Sequence, residues 1–339
     1  MRADAEALTC QTRRRLMALG ALTAFAFGTP GVAATSESGA YPSRAITIVV
    51  GGPPAGGTDF IARLVADNLA RDLKQSVVVE NRAGASGLIG AKHVQKAAPD
   101  GYTFLMGQAA THAILPALQS QPAYDAVKDF TPISLIATAP EVLVVDSDSP
   151  IKSVADYIDY AKQHPGKVSY GTPGVGQPQH ILGERFAKAT GTDLLHVPYN
   201  GSGPALTDLV GGRLVSMFVT PGAVMPFIRD GRVRALAVSS KERSALMPDV
   251  PTLAESGLQN VDQTGWFALF APAGLAADRK LAMEKAVMKV LANPEVKHKL
   301  TGAYVEPGTI SPADFAAFHQ SEVAAFSDIV GGLKLQLNN

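Results

Sequence analysis

The sequence predicts an α/β protein built from two domains, each a mostly parallel sheet flanked by helices. Three observations carry this prediction. The chain has 339 residues, enough for two hydrophobic cores. Short β-branched apolar runs alternate with amphipathic stretches, which is the pattern of βαβ units. The same device, a strand, a glycine-rich loop and a helix, occurs once in each half.

The first copy starts at Ala45–Val50, a nearly continuous apolar run suited to a buried parallel strand. Gly51–Asp59 follows, with four glycines and two prolines. Beyond it Ile61, Leu64, Val65, Leu69 and Leu73 recur at helical spacing and predict one buried face. Thr58 or Asp59 is the expected N-cap, because a side-chain oxygen there can accept from an unpaired first-turn N–H. Gly56 and Gly57 leave the backbone bare at a helix end whose N–H groups carry partial positive charge. Such a place suits a carboxylate or a phosphate. The alternative is a glycine turn needed only for tight strand–helix packing.

Ser76–Glu80 is a second strand, and Asn81–Gly90 is a loop entering a helix that runs through Val94. Tyr102–Met106 is a third strand, ending at Gly107–His112. Ligands in doubly wound sheets sit beyond the strands' carboxyl ends. The loops at 51–59, 84–90 and 107–112 are therefore expected along one edge, which makes Ala110, Thr111 and His112 candidate contacts. Phe130–Ala139 and Val142–Val145 read as strands, and the polar break Asp146–Pro150 as a domain crossing. Lys167–Tyr170, the loop Gly171–Gln179 and a helix His180–Ala189 form the second copy. Strands at 194–197, 215–219 and 234–238 and helices after Gly203 and at 225–229 complete that half. Lys241–Glu255 looks like the return to the first domain, Gly265–Phe270 is another strand, and Asp278–Ile329 is mainly helical. The resulting division is 41–146 with 246–339 as one domain and 147–245 as the other. Two anion-suited helix starts in separate domains can face each other across a cleft, where small ligands are enclosed.

The N-terminus reads as a secretory signal. Arg13–Arg15 precede an apolar run from Ala18 to Phe27, and Pro30–Ala34 ends in small residues. The paired arginines admit the twin-arginine route as well as the general one. The apolar run is too short to span a bilayer. Residues 1–34 hold four Arg, one Asp and one Glu, so their removal from 30 basic and 30 acidic residues leaves 26 against 28. A near-neutral chain does not point to nucleic acid. Cys10, the only cysteine, lies within that segment, so the exported chain has no disulfide. No later stretch is long and apolar enough to cross a membrane, and a soluble periplasmic monomer is expected.

Catalytic signatures are missing. No Gly-x-Gly-x-x-Gly follows the first strand, and there is no P-loop, Gly-x-Ser-x-Gly elbow or His-Glu-x-x-His. No cofactor and no metal site is expected. His112 and His180 lie at loop–helix junctions, as structural histidines or as ligand contacts.

Several stretches, in order, resemble the Bug receptors, the extracytoplasmic solute-binding proteins of tripartite tricarboxylate transporters. They are Tyr41–Ile46, Pro53–Asp59, Val79–Gly84, Ala97–Tyr102, Gly171–Gly176 with Gln179 and His180, Val197–Gly201, and Arg234–Val238 through Pro248–Thr252. The resemblance spans nearly the whole exported chain. It implies a two-domain Venus-flytrap protein, type II-like, that binds a small carboxylate and presents it to membrane permease subunits without catalysis. It also implies that Pro54, Ala55, Gly56, Gly57, Thr58 and Asp59 hold one carboxylate together with Thr172, Pro173, Gly174, Val175, Gly176 and Gln177. Val219 stands where the family often carries Asp, Thr220–Val224 differs from the usual Pro-Ser, and Gln177–Pro178 replaces small hydroxyl residues. Val219 and Thr220 are thus candidate wall residues, and a ligand less polar than citrate is expected, such as an aromatic or medium-chain dicarboxylate. A sensor for a signalling partner, and a secreted small-ester hydrolase with His112 or His180 as base, are the alternatives.

Overall fold

A computed structural model describes residues 41–336. The signal segment expected at residues 1–34 lies outside them. Among the described residues no helix is long and apolar enough to cross a membrane.

The first lobe opens with β1 (Ile46–Val50), α1 (Gly57–Leu73), β2 (Val77–Asn81), α2 (Leu88–Gln95) and β3 (Thr103–Gln108). β1 lies between β2 and β3, parallel to both. Its alternation sends Ile46, Ile48 and Val50 to one face of the sheet and Val49 to the other. On the first face they meet Ile61, Leu64, Val65 and Leu69 of α1, the stripe that the helical spacing predicted. Truncating one such residue to alanine removes packing worth about 2–5 kcal/mol. A short π-type turn (Ala110–Ile114) leads into α3 (Leu115–Leu118), and the long strand β4 (Phe130–Pro140) follows.

The second lobe holds β5 (Val142–Asp146), α4 (Val154–Gln163), β6 (Val168–Thr172), α5 (Pro178–Thr190) and β7 (Leu194–Pro198). It continues through α6 (Ser202–Val210), β8 (Ser216–Val219), α7 (Pro221–Arg229) and β9 (Val233–Val238). The chain then returns through β10 (Thr264–Pro272), α8 (Ala277–Ala292), α9 (Pro294–Gly302), β11 (Glu306–Pro307) and α10 (Pro312–Leu333).

The two sheets repeat one order. The first runs β2-β1-β3-β10-β4, with β11 at the edge, and the second β7-β6-β8-β5-β9. In each, the strand next to the parallel trio has just arrived from the other lobe. It enters antiparallel: β10 against β3 and β4, β5 against β8 and β9. Both sheets are therefore mixed rather than mostly parallel.

The crossings differ from the sequence expectation. The chain passes between sheets at Glu141, because Val142–Asp146 already pairs with β8 and β9. The polar break Asp146–Pro150 only ends that strand. The return falls later than residue 246. Thr252 bridges to Val238, and Leu253, Leu258 and Val261 pack in the second lobe's core. Lys241–Glu255, expected as the return, instead stays with the second sheet through Leu253, and Leu258 and Val261 pack there after it.

Candidate functional site

The site is assembled from loops at strand ends in both lobes. In the first, α1 starts at Gly57 and its N-cap is Gly56, which offers no side chain to the first-turn N–H groups. Neither Thr58 nor Asp59 caps it. Asp59 instead turns back to brace the loop. Its Oδ2 accepts from the Ala55 N–H and from Arg63 Nε, both at 2.9 Å, and its Oδ1 accepts from Asn81 Nδ2 at 2.8 Å. Burial raises its pKa, but the hydrogen bonds from Arg63, Asn81 and Ala55 outweigh that and hold it below the usual carboxylate range. This brace secures Ala55 at a φ of 62°, a conformation a non-glycine residue rarely adopts. Thr58 Oγ1 donates to Gln108 Oε1 at 2.9 Å and ties the loop to the end of β3.

Beneath this loop three glycines interlock. A Cβ on Gly51 would lie 2.7 Å from Gly87 Cα, and one on Gly90 would lie 2.9 Å from Gly51 Cα. Backbone approaches backbone here, so the loop at 84–87 is drawn against the loop at 51–56.

In the second lobe, β6 ends at Thr172, whose Oγ1 is 2.6 Å from His196 Nε2. The loop beyond it is held by Tyr199 and Gly201, whose N–H groups donate to Thr172 and Pro173 carbonyls. α5 follows with N-cap Gln177, α6 with N-cap Gly201 and α7 with N-cap Thr220, none making a side-chain cap bond. Helices α4, α9 and α10 differ: Ser153, Asn293 and Ser311 accept from their first-turn N–H groups. Four helices whose N-terminal residues line the cavity (α1, α5, α6 and α7) thus carry no side-chain cap; in α5 and α7 the first residue is proline and the His180 and Ala223 N–H groups donate to the Gln177 and Thr220 carbonyls, which leaves the Gln179 and Gly222 N–H groups at those two ends.

These ends surround a cavity of about 1110 Å³ between the lobes. Ser86 Oγ donates to the Val175 carbonyl at 3.2 Å and links the two lobes beside it. The lining contains no lysine, arginine or histidine among the described residues, and its two acids are Asp59 and Glu141. Phe60, Val175, Trp266 and Phe267 supply apolar wall. Helix N-termini with bare glycine backbone are an arrangement that favours an anion.

Of the residues singled out from sequence, Ala55, Gly56, Gly57, Thr58, Asp59 and Ala110 reach the lining from the first lobe. Pro173, Gly174, Val175, Gln177 and Thr220 reach it from the second. The remaining candidates sit outside it. His112 is fully buried, stacked on Phe270 at 4.1 Å, and burial with His319 nearby holds its pKa well below the usual imidazole value. Thr111 packs over Gly87 and bonds to the Gln108 backbone. His180 accepts from the Gly176 N–H and stacks on His196 at 4.2 Å. Burial pushes His196 down to about 3, with His180 adding to the effect. Thr172 and Val219 are fully buried, Gly176 packs toward Leu115 of α3, and Pro54 lies off the cavity. With Val219 in the core, it cannot make the wall apolar; the aromatic residues do. Neither histidine offered as a hydrolytic base reaches the cavity.

Ser86 and Gln108 reach the lining from loops expected along this edge, and Gln179 from the second glycine-rich loop; Glu141, the Tyr199–Gly203 loop and Trp266 line the cavity without having been singled out from sequence. The second loop carried a signal, since Tyr199–Gly203 ends a strand with two glycines. Glu141 and Trp266 carried none, because they approach only where the lobes join.

The fold and cleft define a two-lobed binding protein of the periplasmic solute-receptor class. The family model described as "Tripartite tricarboxylate transporter family receptor" matches residues 61–335, and the chain belongs to this family. Protein BugT of Bordetella pertussis is 35% identical over 303 residues, covering 89% of this chain and 93% of that one. The structure of R. palustris Rpa4515 with adipate is 35% identical with a TM-score of 0.81, over 87% of this chain and 99% of that one. MatC from Rhodopseudomonas palustris with bound malate is 32% identical with a TM-score of 0.78, over 86% and 100%.

Proposed function

We propose that this chain is exported, loses residues 1–34, and captures a small dicarboxylate in the interlobe cavity for the permease of a tripartite transporter, without catalysis. One observation carries the reading: four helix N-termini without side-chain caps, from both lobes, meet at one cavity lined by no basic side chain among the described residues. Backbone N–H groups bind a carboxylate through short charge-assisted bonds. The apolar wall of Phe60, Val175, Trp266 and Phe267 favours a ligand with a hydrocarbon or aromatic middle. The similar structures of Rpa4515 with adipate and of MatC with bound malate agree with this class. The bodies that close on the ligand are, in this reading, residues 41–140 with 264–336, and residues 142–262. A ligand touching both favours the closed arrangement.

Calorimetric titration of residues 35–339 tests the proposal. Adipate or phthalate is expected to bind more tightly than citrate or aspartate. Tighter binding of citrate or aspartate would remove the apolar-middle reading, and no binding of any carboxylate would remove carboxylate capture.

A further inference from the structure

Glu141 is the single residue between β4 and β5, and it sits where the lobes join. Its backbone is fixed by one residue: its N–H donates to Ser239 Oγ and its carbonyl accepts from the Ser239 N–H, both at 2.8 Å. Its side chain is 1% exposed, yet it forms part of the cavity lining. Oε2 accepts from Gln179 Nε2 at 2.8 Å. On the other side a Cβ on Gly265 would come within 3.2 Å of Oε1, so the glycine leaves the space the carboxyl occupies. A second, independent feature lies at the same spot. Gln179 Oε1 is buried with no hydrogen-bond partner among the described residues, which marks unused hydrogen-bonding capacity.

Among the described residues no basic side chain bonds to this carboxyl. Gln179, Ser239, Gln263 and Gly265 around the junction are all uncharged. The ionisable side chains of the neighbouring elements are engaged elsewhere. Arg185 of α5 donates to the Asn260 and Asp262 carbonyls, and His180 accepts from Gly176. Glu184 accepts from Tyr170, and Glu322 of α10 accepts from Trp266. Asp59, the other acid in the lining, is neutralised by Arg63. Burial, opposed in part by the Gln179 amide, pushes the Glu141 carboxyl up to about 8. A buried neutral acid is a donor, and it lets an anion approach without like-charge repulsion.

We propose that Glu141, held by Gln179, is a protonated hydrogen-bond donor to the captured carboxylate, so that this receptor takes its anion together with one proton kept on the protein. The inference rests on carboxylate capture and names a residue that sets its pH range and its preference for anions. The sign is fixed: the complex needs the protonated form, so affinity holds below the carboxyl's free pKa and falls above it.

Calorimetry with adipate and malate, from about pH 6 to about pH 10 and in two buffers of different ionisation enthalpy, tests this. Wild-type affinity is expected to be flat at the acid end and to fall toward tenfold per pH unit above about pH 8, with one proton taken up per ligand there. Glu141→Gln is expected to flatten the profile and abolish the uptake. A wild-type protein that binds adipate or malate with a flat profile and no uptake overturns the role of Glu141 and leaves carboxylate capture standing. A slope that survives in Glu141→Gln does the same. Binding of neither ligand at any pH overturns both. Should Glu141→Gln fail to fold, the wild-type proton count decides alone.

Discussion

Replacing Gly57 with leucine separates the anion-binding role of the first loop from its folding role. A Cβ at Gly57, a residue of the cavity lining, meets nothing within 4 Å, so the position has room for a side chain. Gly57 is the first residue of α1, and exchanging glycine for a good helix former gains up to about 0.5–1 kcal/mol. The unfolding midpoint should therefore stay the same or rise. The leucine covers the first-turn N–H groups, and each hydrogen bond from such a group to a charged ligand contributes about 1.5–3 kcal/mol. Losing one weakens binding by about 10- to 150-fold. Gly51→Ala is the opposite control. Its Cβ would lie 2.7 Å from Gly87 Cα and 2.8 Å from the Gly87 carbonyl oxygen, backbone that cannot swing away. Overpacking of that kind costs about 1–3 kcal/mol, so this variant loses stability. Thermal unfolding and calorimetric titration with adipate read the two quantities. Wild-type adipate affinity in Gly57→Leu, or a large stability loss in that variant, would refute the reasoning.

Three further outcomes follow from the geometry. Ser239→Ala removes the hydroxyl that accepts from the Glu141 N–H and donates to the Gln263 carbonyl, so denaturant unfolding should show a loss of about 1–3 kcal/mol. Asp59 has a lowered pKa in the fold, so its contribution is present above its unfolded value near 4 and disappears as pH falls through the folded one; in Asp59→Asn that part of the acid dependence vanishes from stability curves. His112 is also depressed, so its neutral form supports the fold above about pH 6.5 and its protonation destabilises the fold below that; His112→Phe should be less acid-sensitive there and should leave adipate affinity unchanged.

The elements near the chain's first half were legible because each rule there is local. The α1 stripe of Ile61, Leu64, Val65 and Leu69 is a period, and the bare loop at Gly56 and Gly57 is a composition. Asp59 shows where local rules stop. Its position suits a cap, yet Arg63 and Asn81 draw its carboxylate away from the first-turn donors, and those donors stay free for the cavity. His112 shows the same limit at the other extreme. It follows a strand end, where ligand contacts gather, but Phe130, Phe270 and His319 from distant segments close over it.

By itself the sequence determined the α/β class, the two strand–glycine loop–helix units, and the bare backbone at the start of α1, since periodicity and glycine content act over a few residues. Only the tertiary structure decided that the chain crosses at Glu141, that β5 and β10 enter their sheets antiparallel, and that Gln179, Trp266 and the Tyr199–Gly203 loop share one cavity. The physical reason is that strand pairing and burial are contacts between segments far apart in the chain. A polar break such as Asp146–Pro150 marks where a strand ends; the hydrogen-bond partners of Val142–Asp146 determine which lobe it belongs to.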